Sequence, residues 1–162
     1  MARYWLDASS IIWCNRDLFP LDSVPGYWNW LETKLDDGSV VTHKKIYAET
    51  IKGANGEKPS KIAVWVKNRK GLWCSYGCTD ESKQMMGEIS IYCINKYGYD
   101  TAKAFLDGAD ALLISRAAID KGVVVTQESV NKEPRIPSVC DHFGVKHLPM
   151  NKMNIALGMA FS

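Results

Sequence analysis

Four acidic residues occur where a folded chain can bring them together: Asp7, Glu49, Asp110 and Glu128. Carboxylates held at close range repel one another, and a hard divalent cation offsets that repulsion. All-oxygen ligation is typical of Mg²⁺ and Mn²⁺ in proteins. Such an ion activates water and neutralises the charge that develops on a phosphodiester during hydrolysis. The four residues therefore predict a metal site suited to phosphodiester cleavage.

Asp7 and Glu128 each follow a segment that is predicted as a strand. Asp7 comes directly after Tyr4-Trp5-Leu6, and Glu128 comes after Val123-Val124-Val125-Thr126-Gln127. In a parallel α/β sheet the functional residues collect at the carboxyl ends of the strands, so both acids are expected at the same edge. Two other interpretations stay open, with Asp7 as a helix N-cap and Glu128 as a solvated loop residue.

Asp110 stands at the start of a predicted helix with a nearly continuous apolar face, Ala111–Ala118. A helix of this kind packs closely on a sheet and holds its first residue at a fixed place. The helix dipole also stabilises an aspartate in the first turn, whatever else that residue does. Asp107, three residues earlier, is the alternative acid for the same place.

Glu49 lies on a predicted helix, about 60° beyond the edge of the apolar arc formed by Ile46, Tyr47 and Ile51. That position is compatible with a metal site at the edge of the core. It is equally compatible with an ion pair on the surface, to Lys45 or Lys52.

The elements that must position these residues follow from the apolar pattern. Short runs without polar alternation predict four buried strands: Arg3–Leu6, Ser39–Thr42, Gly122–Thr126 and Val145–Leu148. Helices are predicted at Ser9 to about Arg16, Tyr27–Leu35, Lys44–Lys52, Lys61–Arg69, Asp80–Tyr97, Thr101–Leu106, Asp110–Lys121 and Pro137–Phe143. Strands separated by helices predict an α/β protein, a three-layer α/β/α fold around a mostly parallel sheet of about four strands.

Glycines mark the expected ends of these elements. Gly53 and the Ala54–Pro59 stretch are predicted to interrupt the middle of the chain, and Gly122 is predicted as the C-cap glycine of the preceding helix. The segment Gly71–Thr79 receives no assignment.

Length and composition limit the class of protein. The 162 residues fit a single domain, residues 1–162. A hydrophobic fraction of 46% and a charged fraction of 23% are typical of a globular protein. No apolar run approaches the ~20 residues of a membrane span, and the first residues lack a secretory signal, so we expect a cytoplasmic protein without a membrane partner. The net charge of +2 neither supports nor excludes an RNA substrate.

Cysteine and tryptophan give weaker signals. The five cysteines are irregularly spaced, and the pair Cys74 and Cys78 has no second pair after it, so reduced and mostly buried thiols are expected rather than zinc. Trp28 and Trp30 lie beside Pro25-Gly26-Tyr27. We expect these tryptophans in the core; the alternative is an exposed patch that docks a partner.

Five segments, in chain order, carry a resemblance to a known family. They are Tyr4–Ser10, Lys45–Glu49, Phe105–Ile114, Val123–Glu128 and Arg135–Cys140. With these segments the chain resembles the PIN domain and, more closely, the bacterial and archaeal PIN-like family called domain-of-unknown-function family 4411. The resemblance implies a parallel sheet flanked by helices. It also implies Mg²⁺- or Mn²⁺-dependent RNA cleavage, often by the toxin of a type II toxin–antitoxin pair.

The resemblance also implies roles for individual residues. Asp7, Glu49 and Asp110 match the acids of the PIN motif, and Glu128 stands where the fourth acid is commonly Asp. Asp7 and Asp110 would be the principal ligands of one ion. Glu49 would bind the ion or orient the attacking water, and Glu128 would complete the site or help to bind a second ion. The products would carry 5′-phosphate and 3′-hydroxyl ends.

Further positions belong to the same expectation. Ser9 and Thr126 match small hydroxyl positions that hold a water or a carboxylate beside the metal. Lys132 and Arg135, in the loop after Glu128, are candidates for binding substrate phosphate, the alternative being solvated loop charges. The expected partners are an RNA substrate, a cognate antitoxin protein and, in a homodimer, a second copy of the chain.

Other functions fit the sequence less well. A phosphatase with an aspartyl nucleophile normally has a second acid two residues later, where this chain has Ser9. A dinucleotide-binding domain needs a glycine-rich loop after its first strand, and none is present. The remaining competitor is a non-catalytic PIN-fold module that retains the acids but binds RNA or a protein partner.

Overall fold

Four short parallel strands form the sheet at the centre of the chain. The computed structural model describes residues 1–52, 60–74, 76–129 and 134–160. The strands are β1 (Tyr4–Leu6), β2 (Val40–Val41), β3 (Val123–Val125) and β4 (Lys146–Leu148). They lie in the order β2-β1-β3-β4, and all three pairings are parallel. The four predicted strands are confirmed, each one or two residues shorter than predicted. The predicted burial is wrong for β4, an edge strand in which Lys146 is exposed and His147 and Leu148 are partly buried.

The described part of the chain contains ten α-helices. They are α1 (Ala8–Trp13, continued by a π-helical turn at Cys14–Leu18), α2 (Pro25–Asp36), α3 (Lys44–Ile51), α4 (Lys61–Lys67), α5 (Lys70–Trp73), α6 (Asp80–Tyr97), α7 (Tyr99–Leu106), α8 (Asp110–Asp120), α9 (Ile136–Phe143) and α10 (Met150–Ala156). The eight predicted helices are present, with bounds shifted by a few residues at most. Helices α5 and α10 were not predicted, and the interruption predicted at Gly53 and Ala54–Pro59 lies outside the described residues.

Side chains alternate across the sheet and supply two separate cores, as the strand geometry requires. Trp5, Val41 and Val124 pack in the core formed mainly by α6, α7, α8 and α9. Leu6, Val40 and Val125 pack in the opposite core, which is formed mainly by α1, α2, α4, α5 and α10. The sheet is therefore covered on both faces, and the predicted three-layer α/β/α architecture is confirmed.

The tryptophans near Pro25 do not form an exposed patch. Trp28 is fully buried in the second core, and Trp30 is partly buried and packs against the same cluster. The expectation that these rings fill the core is confirmed. No helix of the described ranges combines the length and the apolarity needed to cross a bilayer.

The turn between α8 and β3 corrects one prediction. Lys121, and not Gly122, adopts the left-handed conformation that ends α8, with φ 54°. A Cβ atom at Gly122 would lie 2.7 Å from the indole ring of Trp5 and 2.8 Å from the carbonyl oxygen of Arg3. Glycine is therefore required because the backbone passes close to β1, and its predicted C-cap role is wrong.

Candidate functional site

Asp7 lies at the carboxyl end of β1 and starts the next helix. Its Oδ1 accepts a hydrogen bond from the backbone N–H of Ser10 at 2.8 Å, so Asp7 is the N-cap of α1. The residue is 1% exposed. The N-cap interpretation is thus confirmed, but it does not exclude a second role, because the cap uses only one of the two carboxylate oxygens.

The second oxygen of Asp7 is held by two hydroxyl groups. Thr126 Oγ1 donates to Asp7 Oδ2 at 2.6 Å, and Ser9 Oγ donates to the same atom at 2.7 Å. An ionised carboxylate has about four lone-pair positions, and three are occupied by these donors. Asp7 therefore has room for about one further ligand and is held rigidly in place.

Asp110 is the first residue of α8, and Asp107 lies elsewhere. Asp107 is exposed at the end of α7 and forms an ion pair with Lys103, one turn earlier on the same helix. Asp110 instead lies close enough to Asp7, Glu49 and Glu128 for their negative charges to raise its pKa. Of the two alternatives, Asp110 is the one that belongs to the acidic cluster.

Glu49 connects α3 to the start of α8. Its Oε1 accepts a hydrogen bond from the backbone N–H of Ala109 at 3.1 Å, next to Asp110 in the chain. Within the described part of the chain, neither Lys45 nor Lys52 forms an ion pair with Glu49. The carboxylate is therefore turned toward the helix N-terminus, where the helix dipole favours negative charge.

Glu128 reaches from the end of β3 to the start of α9. Its Oε2 accepts a hydrogen bond from the backbone N–H of Ile136 at 3.0 Å. Its own N–H donates to Thr126 Oγ1 at 3.1 Å, so one threonine hydroxyl connects Glu128 with Asp7. The pKa of the Glu128 carboxyl group is raised overall, and the positive charge of Arg135, at the N-cap of α9, opposes that rise. Lys132 lies outside the described residues.

Three of the four acids, Asp7, Asp110 and Glu128, have raised pKa values. Burial is the largest cause that raises the pKa of Asp110 to about 7, and the charges of Glu128, Asp7 and Glu49 add to it. Burial also raises the pKa of Asp7, against the hydrogen bonds from Ser10, Thr126 and Ser9. The pKa of Glu128 is raised by burial and by the charge of Asp7. These three carboxyl groups therefore bind protons more tightly than isolated carboxyl groups do.

The side chains are not yet arranged as a finished coordination shell. In residues 1–52, 60–74, 76–129 and 134–160, no group of three or more acidic, histidine or cysteine side chains is placed to hold a metal ion as it stands. Glu49 and Glu128 each point one oxygen at a backbone N–H. The donor chemistry, all carboxylate and hydroxyl oxygen, fits Mg²⁺ or Mn²⁺.

A cleft that was not predicted from the sequence lies beside Glu128. Ser9, Ile12, Trp13 and Arg16 form one wall, and Glu128 and Arg135 lie opposite. The signal was available, because residues 9, 12, 13 and 16 have the spacing of a single helix face. Gln127 was missed as well: its Oε1 accepts a hydrogen bond from the N–H of Met150 at the start of α10.

Comparison with known proteins gives one finding. A family model described as "Domain of unknown function (DUF4411)" matches residues 4–161. No curated protein matches the chain. Because the family model spans nearly the whole sequence, including all four strands and all four acids, the chain belongs to the DUF4411 family.

Proposed function

We propose that this protein is a Mg²⁺- or Mn²⁺-dependent endoribonuclease of the PIN-like type. Asp7 and Asp110 are the principal metal ligands in this proposal, and Glu49 and Glu128 complete the site. The observation that carries it is the partly buried Asp110 carboxylate at the start of α8, whose pKa is raised to about 7 by lost hydration and by three neighbouring acids.

A folded protein loses stability by holding such a cluster without a counter-charge. Moving a carboxylate out of water disfavours its charged form, and each further carboxylate nearby adds repulsion. Structural ion pairs solve this problem with Arg or Lys, but among the residues that the structure describes, Arg135 alone lowers the pKa of Asp110. A divalent cation at the site supplies the missing positive charge.

Each residue of the site has a task in this proposal. Ser9 and Thr126 hold the Asp7 carboxylate by hydrogen bonds and so fix its direction. Glu49 accepts a proton from the attacking water or orients that water. Arg135 binds a phosphate of the substrate in the cleft that it lines with Glu128. The bound ion supplies water activation and neutralises the charge that develops on the phosphodiester.

The physiological role is proposed from the family resemblance. The PIN-like pattern supports an RNA substrate and the toxin of a type II toxin–antitoxin pair, with a cognate antitoxin as protein partner. Homodimer formation and a cytoplasmic location belong to the same proposal.

The test is RNA cleavage by a matched pair of variants. Asp7→Asn keeps an oxygen for the N-cap bond to Ser10 and removes one charge from the cluster. Asp107→Asn removes one charge from an exposed residue outside the cluster. We expect Asp7→Asn to cleave a fluorescently labelled single-stranded RNA ~100-fold more slowly or worse. The wild type and Asp107→Asn should cleave it equally, in Mg²⁺ or Mn²⁺ and not in EDTA.

Two results would overturn the proposal. One is equal cleavage by Asp7→Asn and Asp107→Asn after repeated purification, which would point to a contaminating nuclease or a different site. The other is tight RNA binding by the wild type with no cleavage in either metal, which would favour the non-catalytic module.

A further inference from the structure

A cysteine and a histidine form a contact at the N-terminus of α3. Cys78 Sγ lies 3.7 Å from His43 Nε2. Cys78 is exposed, while Cys14, Cys93 and Cys140 are buried and Cys74 is partly exposed. His43 is 1% exposed, so an almost completely buried imidazole directs its ring nitrogen at an accessible sulfur.

The helix cap fixes the tautomer of His43. The backbone N–H of Lys45 donates to His43 Nδ1 at 3.0 Å, as part of the N-cap of α3. Nδ1 is therefore the acceptor, and in the neutral ring the proton must lie on Nε2. The group directed at Cys78 is thus an N–H donor, which stabilises a thiolate more than a thiol.

The surroundings keep this tautomer in place. Burial, together with the charges of Arg116, Lys44 and Lys45, lowers the pKa of His43 to about 4. The ring is therefore neutral at physiological pH and does not gain a second proton that would break the N-cap bond. The same three cations lie close to the imidazole that contacts the sulfur.

The backbone around Cys78 is fixed to the start of α3. The N–H of Lys44 donates to the carbonyl oxygen of Tyr76 at 2.8 Å. A Cβ atom at Gly77 would lie 2.9 Å from Cε and 3.2 Å from Nζ of Lys44, so this lysine side chain lies directly over Gly77. These two contacts fix the backbone just before Cys78 and place the Lys44 ammonium group over Gly77, the residue that precedes it.

We propose that Cys78 is a modification site, at which the thiolate forms a mixed disulfide with an anionic low-molecular-weight disulfide of the glutathione type. His43 is the positioning residue. The proton of the thiol goes to water, because Nε2 already carries one. The Cys78 sulfur then attacks one sulfur of the disulfide, a new S–S bond forms, and the other half leaves as a thiolate with the electron pair.

The other thiols are poorer nucleophiles. Burial raises the pKa of Cys14 to about 12, and it also raises the pKa of Cys74, Cys93 and Cys140. Since the thiolate is the reacting form, these four cysteines react slowly in the folded chain. The proposal does not depend on nuclease activity.

The experiment treats the full-length folded protein with oxidised glutathione and maps the adduct by mass spectrometry. We expect a single adduct at Cys78, unchanged in rate in Cys74→Ser and absent in Cys78→Ser. His43→Asn retains a capping oxygen for the Lys45 N–H but has no group that reaches the sulfur. We expect this variant to react about tenfold more slowly, with an unchanged circular dichroism spectrum.

A second measurement covers the case in which His43→Asn does not fold. The rate of adduct formation at Cys78 should be higher in the folded wild type than in the wild type unfolded in urea, because only the folded chain holds His43 Nε2 at the sulfur. A first adduct at Cys74, an equal rate in folded His43→Asn, or an equal rate in folded and unfolded wild type would each overturn the proposal.

Discussion

Replacing Asp110 by asparagine should stabilise the metal-free protein at neutral and higher pH. Folding raises the pKa of this carboxyl group from 3.8 to about 7, a difference of about 3 pH units. Each unit corresponds to about 1.4 kcal/mol of free energy, so the charged form costs up to about 4 kcal/mol. Asp110 keeps some contact with water, which weakens the effect of the neighbouring charges. We therefore expect Asp110→Asn to raise the free energy of unfolding by about 2 to 4 kcal/mol.

The pH range of the effect follows from the direction of the shift. The folded chain binds the Asp110 proton more tightly than the unfolded chain does. The stability contributed by the protonated form is therefore fully present below about pH 4 and is lost as the pH rises through about 7. Wild type should lose stability between about pH 5 and about pH 8, and Asp110→Asn should lose clearly less.

Urea unfolding of wild type and Asp110→Asn at about pH 5 and about pH 8, with excess EDTA, measures this difference in stability directly. Adding Mg²⁺ or Mn²⁺ at the higher pH should then stabilise the wild type and have little effect on Asp110→Asn. Equal stability of the two proteins at high pH, or a lower stability of Asp110→Asn, would refute the claim that Asp110 is destabilised by its neighbours. An equal metal effect on both proteins would remove Asp110 from the proposed ligands.

Two further predictions concern the packing around β1 and β3, and both are measured by urea unfolding. Gly122→Ala places a methyl group against Trp5 and the Arg3 carbonyl and should lower the free energy of unfolding by about 1 to 3 kcal/mol. The control is Gly87→Ala in α6, which has open space around it and should be neutral or stabilising. Equal effects of the two variants would contradict the close approach of Gly122 to β1. Thr126→Val removes the hydroxyl that connects Asp7 with Glu128 and should cost about 1 to 3 kcal/mol, while Thr126→Ser should recover most of the loss. A valine variant as stable as wild type would show that the hydrogen bonds of this hydroxyl to Asp7 and Glu128 do not stabilise the fold.

The strands could be predicted from the sequence because their signal is local. Val123, Val124 and Val125 form an uninterrupted apolar run, which is the sequence pattern of a strand buried on both faces. The parallel arrangement then brought Asp7 and Glu128 to one edge. The register of the observed sheet pairs Leu6 with Val125, the residues just before Asp7 and Thr126.

The choice between Asp107 and Asp110 could not be made from helix patterns, since both lie at a helix boundary. The helpful signal was Lys103, four residues before Asp107 and placed for an ion pair on α7. The bond between Glu49 and the Ala109 N–H was not predictable, because it depends on how α3 packs against α8. Helix α10 was missed because it is short and is capped by Gln127, a residue distant in the sequence.

The position of β1 in the sheet has a consequence for how the protein is made. Its partners β2 and β3 begin at residues 40 and 123, and the hydrogen bond between Asp7 and Thr126 spans 119 positions. A ribosome adds about 5 to 20 residues per second, so the first strand waits for several seconds before its second neighbour has been synthesised. Throughout that time Asp7 lacks the threonine that holds it, and one side of β1 is unpaired. The acidic cluster is therefore assembled late in the translation of this domain, and a nascent chain that ends before Glu128 has no complete site.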